Sequence, residues 1–236
     1  MNGDLASVIE LVEGVKSGQV TNAELVVCPS SVFLMKVGGM LDGTNISLGA
    51  QNVCDQASGA FTGEISASML KECGCRYVIV GHSERRALYL ETDQLVASRF
   101  EMAVKSGLTP ILCIGESLQE RESGATEAVV ARQLDAVIES QGIVAIASCV
   151  IAYEPVWAIG TGQVATPDQA QAVHQFIRNK LTTLDSAVAE KVQILYGGSM
   201  NPANAKDLLS QSDIDGGLIG GAALKASDFL AIGQSV

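Results

Sequence analysis

The chain has 236 residues, of which 47 % are hydrophobic and 17 % are charged, so it can bury a core and is not of the disordered class. It carries 15 Lys and Arg against 26 Asp and Glu, and the net charge of −11 predicts no attraction to nucleic acid or to an anionic membrane. No apolar run reaches the roughly 20 residues of a membrane span. The first residues also lack the charged and apolar regions of a secretory signal.

The six cysteines do not have the spacing of a disulfide framework or of a zinc site. Cys28, Cys113 and Cys149 lie inside apolar runs, where a thiol packs as a small hydrophobic group. Cys73 and Cys75 are separated by a single residue, and no histidine is near them. We therefore expect free thiols, no bound metal and a location in the reducing cytoplasm.

Helices and strands are predicted to alternate along the whole chain. It opens with apolar residues at helical spacing from Leu5 to Val15, and Asn2 or Asp4 can cap this helix. Seven β-branched runs then read as continuous apolar strands of a parallel sheet that is buried on both faces. These runs are Glu24–Pro29, Ile46–Gln51, Arg76–Gly81, Leu108–Gly115, Cys149–Pro155, Val192–Gly197 and Gly216–Gly221. The longer helical stretches between them are Thr92–Ser106, Thr126–Ser140, Thr166–Leu184 and Ala203–Gln211.

This alternation predicts an α/β fold, in one domain over residues 1–236, with about eight helices. A (β/α) barrel and a doubly wound sheet both fit the pattern. The doubly wound reading is weak, because the first predicted strand ends in Cys28-Pro29-Ser30-Ser31 rather than in a G-x-G-x-x-G turn. A barrel closes with eight strands, so the seven predicted here leave the first one absent.

Two titratable residues follow predicted strands, at the edge where barrel enzymes hold their active sites. His82 stands just before a helix start, where backbone N–H groups disfavour the imidazolium form and leave a neutral ring that can donate to a carbonyl. Glu154 ends an apolar strand; it is either a carboxylate paired with an arginine or a general base among apolar neighbours. The other histidine, His174, lies in a helical run and is interpreted as a surface or interface residue.

Glycine-rich turns follow the same edge. Pro155–Gly162 has the composition of a hinged lid, although an ordinary loop would look alike. Gly197-Gly198-Ser199 and Gly220-Gly221 follow the last two strands, where barrels often bind phosphate through free backbone N–H groups and a helix N-terminus.

With these residues assembled, the chain resembles the triosephosphate isomerase family over its whole length. The segment AYEPVWAIGTG is highly specific for that family, and five others support it. The six segments are Ala60–Ile65 (AFTGEI), Val80–Arg86 (VGHSERR), Ile111–Glu116 (ILCIGE), Ala152–Gly162 (AYEPVWAIGTG), Tyr196–Ser199 (YGGS) and Leu218–Leu224 (LIGGAAL). Family members are themselves standard examples of tuned acid–base groups and of lid closure, so both features come with the resemblance.

The resemblance implies a (β/α)8 TIM-barrel lineage and an isomerase that interconverts dihydroxyacetone phosphate and D-glyceraldehyde 3-phosphate through an enediolate. Glu154 would move the proton between the two carbons, and a neutral His82 would polarise the carbonyl and relay protons between the oxygens. Ser83 and Glu84 would support them. No metal or organic cofactor is implied. The phosphate would be held by Gly160, Ser199, Gly220 and Gly221. The Cys54–Glu64 loop, which contains Thr62, would reach into the partner of a homodimer.

The chain departs from the family pattern at its N-terminus. That pattern opens with a strand ending in Asn-x-Lys, whose lysine is catalytic in the family, before Met-Asn-Gly. This chain starts at Met1-Asn2-Gly3, and none of its eight lysines follows a predicted strand. We therefore expect an open barrel of seven strands, a weakened dimer and reduced activity. Three hypotheses stay open: an impaired isomerase, a non-catalytic phosphate-binding or structural relative, and a natural protein whose start lies upstream.

Overall fold

A parallel sheet of seven strands forms the centre of the computed structural model, which describes residues 1–236. Neighbours in the sheet follow chain order from the first strand to the seventh, with all six pairings parallel. The carboxyl ends of all the strands therefore meet at one edge. The strands are β1 Val26–Val27, β2 Ser47–Ala50, β3 Tyr77–Val80, β4 Thr109–Ile114, β5 Val150–Tyr153, β6 Gln193–Tyr196 and β7 Gly216–Gly217.

Twelve α-helices surround the sheet, more than the eight or so that the sequence predicts. Several of the additional helices are single turns that begin at their own capping side chain, as Ser117 and Asp185 show. The helices are α1 Leu5–Ser17, α2 Leu34–Leu41, α3 Ala67–Glu72, α4 Ser83–Leu88, α5 Asp93–Lys105, α6 Leu118–Glu122, α7 Thr126–Gln141, α8 Ile143–Ile146, α9 Pro167–Leu184, α10 Ser186–Lys191, α11 Ala205–Leu209 and α12 Ala226–Gly233. None of them is long and apolar enough to cross a lipid bilayer.

The strands divide the core into two layers, because successive side chains point to opposite faces. The larger cluster lies between sheet and helices and includes Phe100 and Leu112. The smaller cluster lies on the inner face of the sheet and includes Ile79, Ile111 and Cys113. All six cysteines are free, as expected; Cys28 and Cys73 are half-buried and the others are buried.

The sheet is open between its first and last strands. β1 pairs only with β2, β7 pairs only with β6, and no ladder joins β1 to β7. The expected open barrel of seven strands is confirmed. Both edge strands keep only two residues, fewer than the sequence predicts, because each has a partner on one side alone.

The N-terminal helix α1 packs along α12 rather than on a strand of its own. Asp4 is its cap: the Asp4 side chain accepts from the Ser7 N–H at 2.8 Å, and the Ser7 hydroxyl accepts from the Asp4 N–H at 2.9 Å. The approach of the two helices is close, since a Cβ on Gly14 would lie 2.7 Å from that of Ala226.

Candidate active site

Glu154, the first residue after β5, is the centre of a buried polar group at the carboxyl edge of the sheet. It is 2 % exposed. Its Oε1 lies 3.0 Å from His82 Nε2 and accepts from the Ser83 hydroxyl at 3.1 Å, while its Oε2 accepts from the Ser83 backbone N–H at 2.9 Å. The interpretation of Glu154 as the partner of an arginine is therefore wrong. The structure brings together three of the side chains that the sequence singled out.

His82 occupies the N-cap position of α4, as its sequence position indicates. Its Nδ1 accepts from the backbone N–H of Glu84 at 3.3 Å, so the ring hydrogen belongs on Nε2, facing Glu154. Burial opposes a charge on His82, but the hydrogen bond and negative charge of Glu154 outweigh it and raise the pKa of His82 above 6.5. Glu84 contributes its backbone to this arrangement, because its carboxylate is 70 % exposed and 4.0 Å from Nδ1.

Arg86 ties the end of β3 to the end of β4 beneath His82. Its Nε donates to the Gly81 carbonyl at 2.8 Å, its Nη2 to the Cys113 carbonyl at 3.1 Å and its Nη1 to Asp93 at 2.7 Å. Burial, followed by the charge of Glu154, raises the pKa of the Cys113 thiol well above 9.0. Arg86 belongs to the segment VGHSERR, and its sequence position alone does not indicate these three contacts.

Glu116 lies just beyond β4 and anchors the chain on both sides of Glu154. It is fully buried, and its Oε1 accepts from the Tyr153 hydroxyl at 3.1 Å, the Trp157 indole N–H at 2.9 Å and Arg121 at 3.2 Å. The Arg121 guanidinium also stacks 4.5 Å above the Trp157 ring. The sequence placed Trp157 among apolar neighbours of Glu154; its polar end instead bonds to Glu116.

The segment after Glu154 is buried at its start and exposed to solvent at its tip. It begins with the 3₁₀ turn Val156–Ala158, in which Trp157 and Ala158 are buried, whereas residues 160–164 are exposed. Gly160 and Gly162 have φ of +66° and +81°, in the region that favours glycine. The lid interpretation stays a prediction.

The proposed phosphate turns lie at the same edge. Ser199 is bound to the base of the lid segment, because its N–H and its hydroxyl both donate to the Ala158 carbonyl, at 3.0 and 2.7 Å. Gly220 and Gly221 are exposed and have open space where a Cβ would stand. Only a short 3₁₀ turn starts at Gly221, so no long helix directs its N-terminus at this position. No hydrogen bond links Gly160, Ser199 and the Gly220-Gly221 turn to one another.

The expectation that His174 is a surface or interface residue is wrong, because it is fully buried in α9. Its Nδ1 lies 3.1 Å from the Asp213 carbonyl oxygen, and its ring meets Tyr153 edge-on at a centroid distance of 5.7 Å. Burial lowers the pKa of His174 to about 4. The signal was present in the sequence: position 174 falls on the apolar stripe formed by Ala170, Val173, Ile177 and Leu181.

No lysine joins the candidate site. Seven of the eight lie inside helices, and Lys225 stands at the N-cap of α12. The structure therefore contains no lysine that follows a strand directly, in agreement with the expectation from the sequence.

Comparison with known proteins assigns the family. A family model described as triosephosphate isomerase matches residues 1–236. A triosephosphate isomerase of Thiobacillus denitrificans is 58 % identical over 232 residues, which cover 98 % of this chain and 93 % of the relative. Those of Dechloromonas aromatica and Hydrogenovibrio crunogenus are 57 % and 56 % identical; they cover 98 % and 100 % of this chain, and 94 % of each relative is matched. With the seven-stranded α/β sheet and the paired Glu154 and His82 at its edge, these matches show that the chain belongs to the triosephosphate isomerase family.

Proposed function

We propose that the chain, as one barrel domain, interconverts dihydroxyacetone phosphate and D-glyceraldehyde 3-phosphate by proton transfer through an enediolate, with Glu154 as base. The observation that carries this proposal is the Glu154–His82 pair, a buried carboxylate 3.0 Å from an imidazole Nε2 at the carboxyl edge of the sheet. A base and a hydrogen-bond donor side by side match what the reaction requires: one group removes a proton from carbon while the other stabilises the adjacent oxygen.

Hydrogen bonds tie Glu154 to the start of α4. Its two oxygens accept three hydrogen bonds, one from His82 and two from Ser83. To reach a carbon-bound proton, the carboxylate must give up at least one of them. Since Glu154 leads directly into Pro155 and the lid segment, we propose that movement of this segment carries the base from Ser83 to the substrate.

His82 acts in its neutral form in this proposal. The hydrogen on Nε2 is free for a substrate carbonyl oxygen once Glu154 turns away, and the ring stays oriented because Nδ1 still accepts from the Glu84 N–H. The same movement removes the neighbour that raises the pKa of His82. Substrate binding thus favours the neutral ring. The proton transfers need only these side chains, so we propose no metal or organic cofactor.

We propose that the phosphate binds to backbone groups of Gly160, Ser199, Gly220 and Gly221. A local site of this kind suits a chain whose net charge is −11. Ser199 donates twice to the Ala158 carbonyl, so its donors must exchange that oxygen for phosphate oxygens when phosphate binds. Phosphate binding would thereby release the base of the lid segment.

We further propose a homodimer in the cytoplasm, formed through the Cys54–Glu64 loop. Residues 56–64 of this loop are exposed, and Phe61 is 45 % exposed, which leaves an apolar group available to a second copy. The base of the loop is rigid, because Arg99 donates to the Val53 carbonyl at 3.0 Å and lies 3.7 Å from Glu64. The six free thiols fit a reducing compartment.

The proposal is tested by replacing Glu154→Asp and measuring isomerisation in a coupled assay, on protein purified from a host without its own isomerase. The shorter side chain withdraws the base by about one carbon–carbon bond, so we expect kcat to fall about 10²-fold or more. Affinity for a phosphate-bearing substrate analogue should stay within about twofold, because the shared phosphate contacts are unchanged.

Equal turnover in the two proteins would remove Glu154 from the mechanism. Binding of the analogue with no isomerisation by either protein would instead favour the non-catalytic phosphate-binding relative. Loss of one preorganised donor at an oxyanion costs about 10²–10³ in rate. Because no lysine follows a strand, we expect the starting kcat itself to be low by a factor of that order.

A further inference from the structure

Gln133, on the outer helix α7, holds both backbone polar groups of one residue, Gly115, just after β4. Its Oε1 accepts from the Gly115 N–H at 2.7 Å, and its Nε2 donates to the Gly115 carbonyl at 3.2 Å. These are the only hydrogen bonds that the Gly115 backbone makes. Gln133 is 5 % exposed, so its amide makes these bonds in a largely buried position.

Gly115 in turn lies directly against the backbone of Glu154. A Cβ at position 115 would stand 1.8 Å from the Glu154 carbonyl oxygen, a distance at which no side chain fits. The residues on either side of Gly115 complete the contact: the Ile114 carbonyl accepts from the Glu154 N–H at 2.8 Å, and the Glu116 carbonyl accepts from the Val156 N–H at 3.1 Å. The position of residues 114–116 therefore sets the position of the base.

We infer that Gln133 is a positioning residue for the proposed base: through Gly115 it fixes where the Glu154 backbone lies, although it touches neither Glu154 nor the substrate site. The inference rests on the proposed function for its kinetic consequence. The contact it describes exists independently of that function. Catalytic rate is sensitive to such a contact, since a misplacement of about 1 Å by a remote change can cost about 10²-fold.

The geometry requires both a donor and an acceptor at position 133. Methionine has a similar length but provides neither, so both Gly115 groups would lose their partners. An ionised glutamate keeps an acceptor for the Gly115 N–H, but its second, negatively charged oxygen would face the Gly115 carbonyl oxygen and repel it. A protonated glutamate restores the whole pattern, with its carbonyl accepting from the N–H and its O–H donating to the carbonyl. Burial favours this protonated form.

The test compares Gln133→Met and Gln133→Glu with the parent chain across pH. We expect Gln133→Met to lower kcat about tenfold with KM changed less than about twofold. Gln133→Glu should show a similar loss at pH 8, and the ratio of its kcat to that of the parent should rise about tenfold as the pH is lowered to 6. The matched control is Gln171→Glu. Gln171 also bonds through both amide atoms, to Asp213, but it lies away from Glu154, so its kcat ratio should stay flat with pH.

A second measurement does not depend on catalysis. Trp157 is the only tryptophan, and its indole N–H donates to Glu116, the neighbour of Gly115. We expect the Trp157 indole N–H resonance to shift in Gln133→Met, and in Gln133→Glu to return toward the parent position as the pH falls. If the parent chain proves inactive, the proposed function fails while this resonance still tests the contact.

Two results would overturn the inference. One is a kcat for Gln133→Met within about twofold of the parent. The other is a Gln133→Glu variant whose kcat ratio and Trp157 resonance are both independent of pH. A Gln133→Met variant that does not fold leaves the second result decisive.

Discussion

Glu154, the proposed base, is the neighbour that contributes most to raising the pKa of His82. Burial and the backbone N–H at Nδ1 both oppose protonation, whereas Glu154 favours it through a hydrogen bond and its charge. Acid and base are therefore linked: moving Glu154 changes the proton affinity of His82 without any change in His82 itself.

Replacing Glu154→Gln should lower the pKa of His82 below 6.5. The change removes the charge that raises it and leaves burial, the largest opposing cause, in place. The chain has only two histidines, so NMR titration of the imidazole protons resolves both, and His174, titrating at about 4, serves as an internal reference. The control is Glu84→Gln, whose carboxylate is exposed and should matter less. An unchanged pKa of His82 in Glu154→Gln would contradict the linkage.

His174 should make the free energy of unfolding fall as the pH drops from 6.5 to 4. Its pKa is about 4 when folded and 6.5 in the reference state, so the unfolded chain binds the proton first. Above pH 6.5 neither state binds this proton, and His174 does not reduce the free energy of unfolding. At pH 4 the preference of the unfolded chain for the proton lowers the free energy of unfolding by about 3 kcal/mol. Urea unfolding of the parent and of His174→Gln across this range measures it. Parallel pH dependence in the two proteins would show that His174 contributes nothing.

Among the elements, the strand ends show best how tertiary contacts complete what sequence patterns begin. Strands β2 to β6 lie inside the predicted apolar runs, because continuous β-branched segments are typical of buried parallel strands. The runs are longer than the strands, since the apolar pattern marks burial and the hydrogen-bonded ladder ends earlier. β1 and β7 are shortened most, as a ladder needs a neighbour that periodicity along one chain does not reveal.

The sequence predicts those site residues that belong to a local motif directly after a strand. His82, Ser83 and Glu154 follow strands in sequence, so parallel topology alone brings them to one edge. Gln133 gave no such signal. It lies in the middle of a helix, and its bonds to Gly115 depend on how α7 packs over β4. The role of Glu116 likewise appears only when Tyr153 and Trp157 are placed around it.

The contact between β4 and β5 should tolerate no side chain at Gly115. In Gly115→Ala the new Cβ would lie 1.8 Å from the Glu154 carbonyl oxygen, so the two strand ends must separate. We expect a loss of about 1–3 kcal/mol in the free energy of unfolding, measured by urea denaturation. Gly39→Ala in α2 is the control, because a Cβ there meets nothing and should stabilise the helix by about 0.5–1 kcal/mol. Equal stability of Gly115→Ala and the parent would contradict this packing.

At the scale of the whole molecule, the open sheet has a stable centre, β3 to β5, and two less stable margins, the edge strands β1 and β7. β3, β4 and β5 each pair on both sides, while β1 and β7 pair on one side and are half-buried. A strand with one partner unfolds locally at lower cost. Helix α1 packs on α12 beside this opening, and we expect it to be among the more mobile elements.

Hydrogen exchange should distinguish these margins from the centre. We expect the amides of β1, β7 and α1 to exchange faster than those of β4 and β5, since their opening does not require global unfolding. Native-state exchange followed by mass spectrometry of peptides measures this, with the β4 peptide as the internal control. Uniform protection across all seven strands would show that the opening does not weaken its edges.

The gap between β1 and β7 has a consequence for how copies of the chain meet. Its two margins are different surfaces that match one another: each offers the backbone groups of a parallel strand along its free side. If β1 of one molecule pairs with β7 of the next, the contact is head-to-tail, and the growing assembly always keeps an unpaired β1 at one end and an unpaired β7 at the other. Further molecules can therefore add without limit, whereas a twofold dimer is closed. The short two-residue edges and the net charge of −11 then act as safeguards against linear assembly.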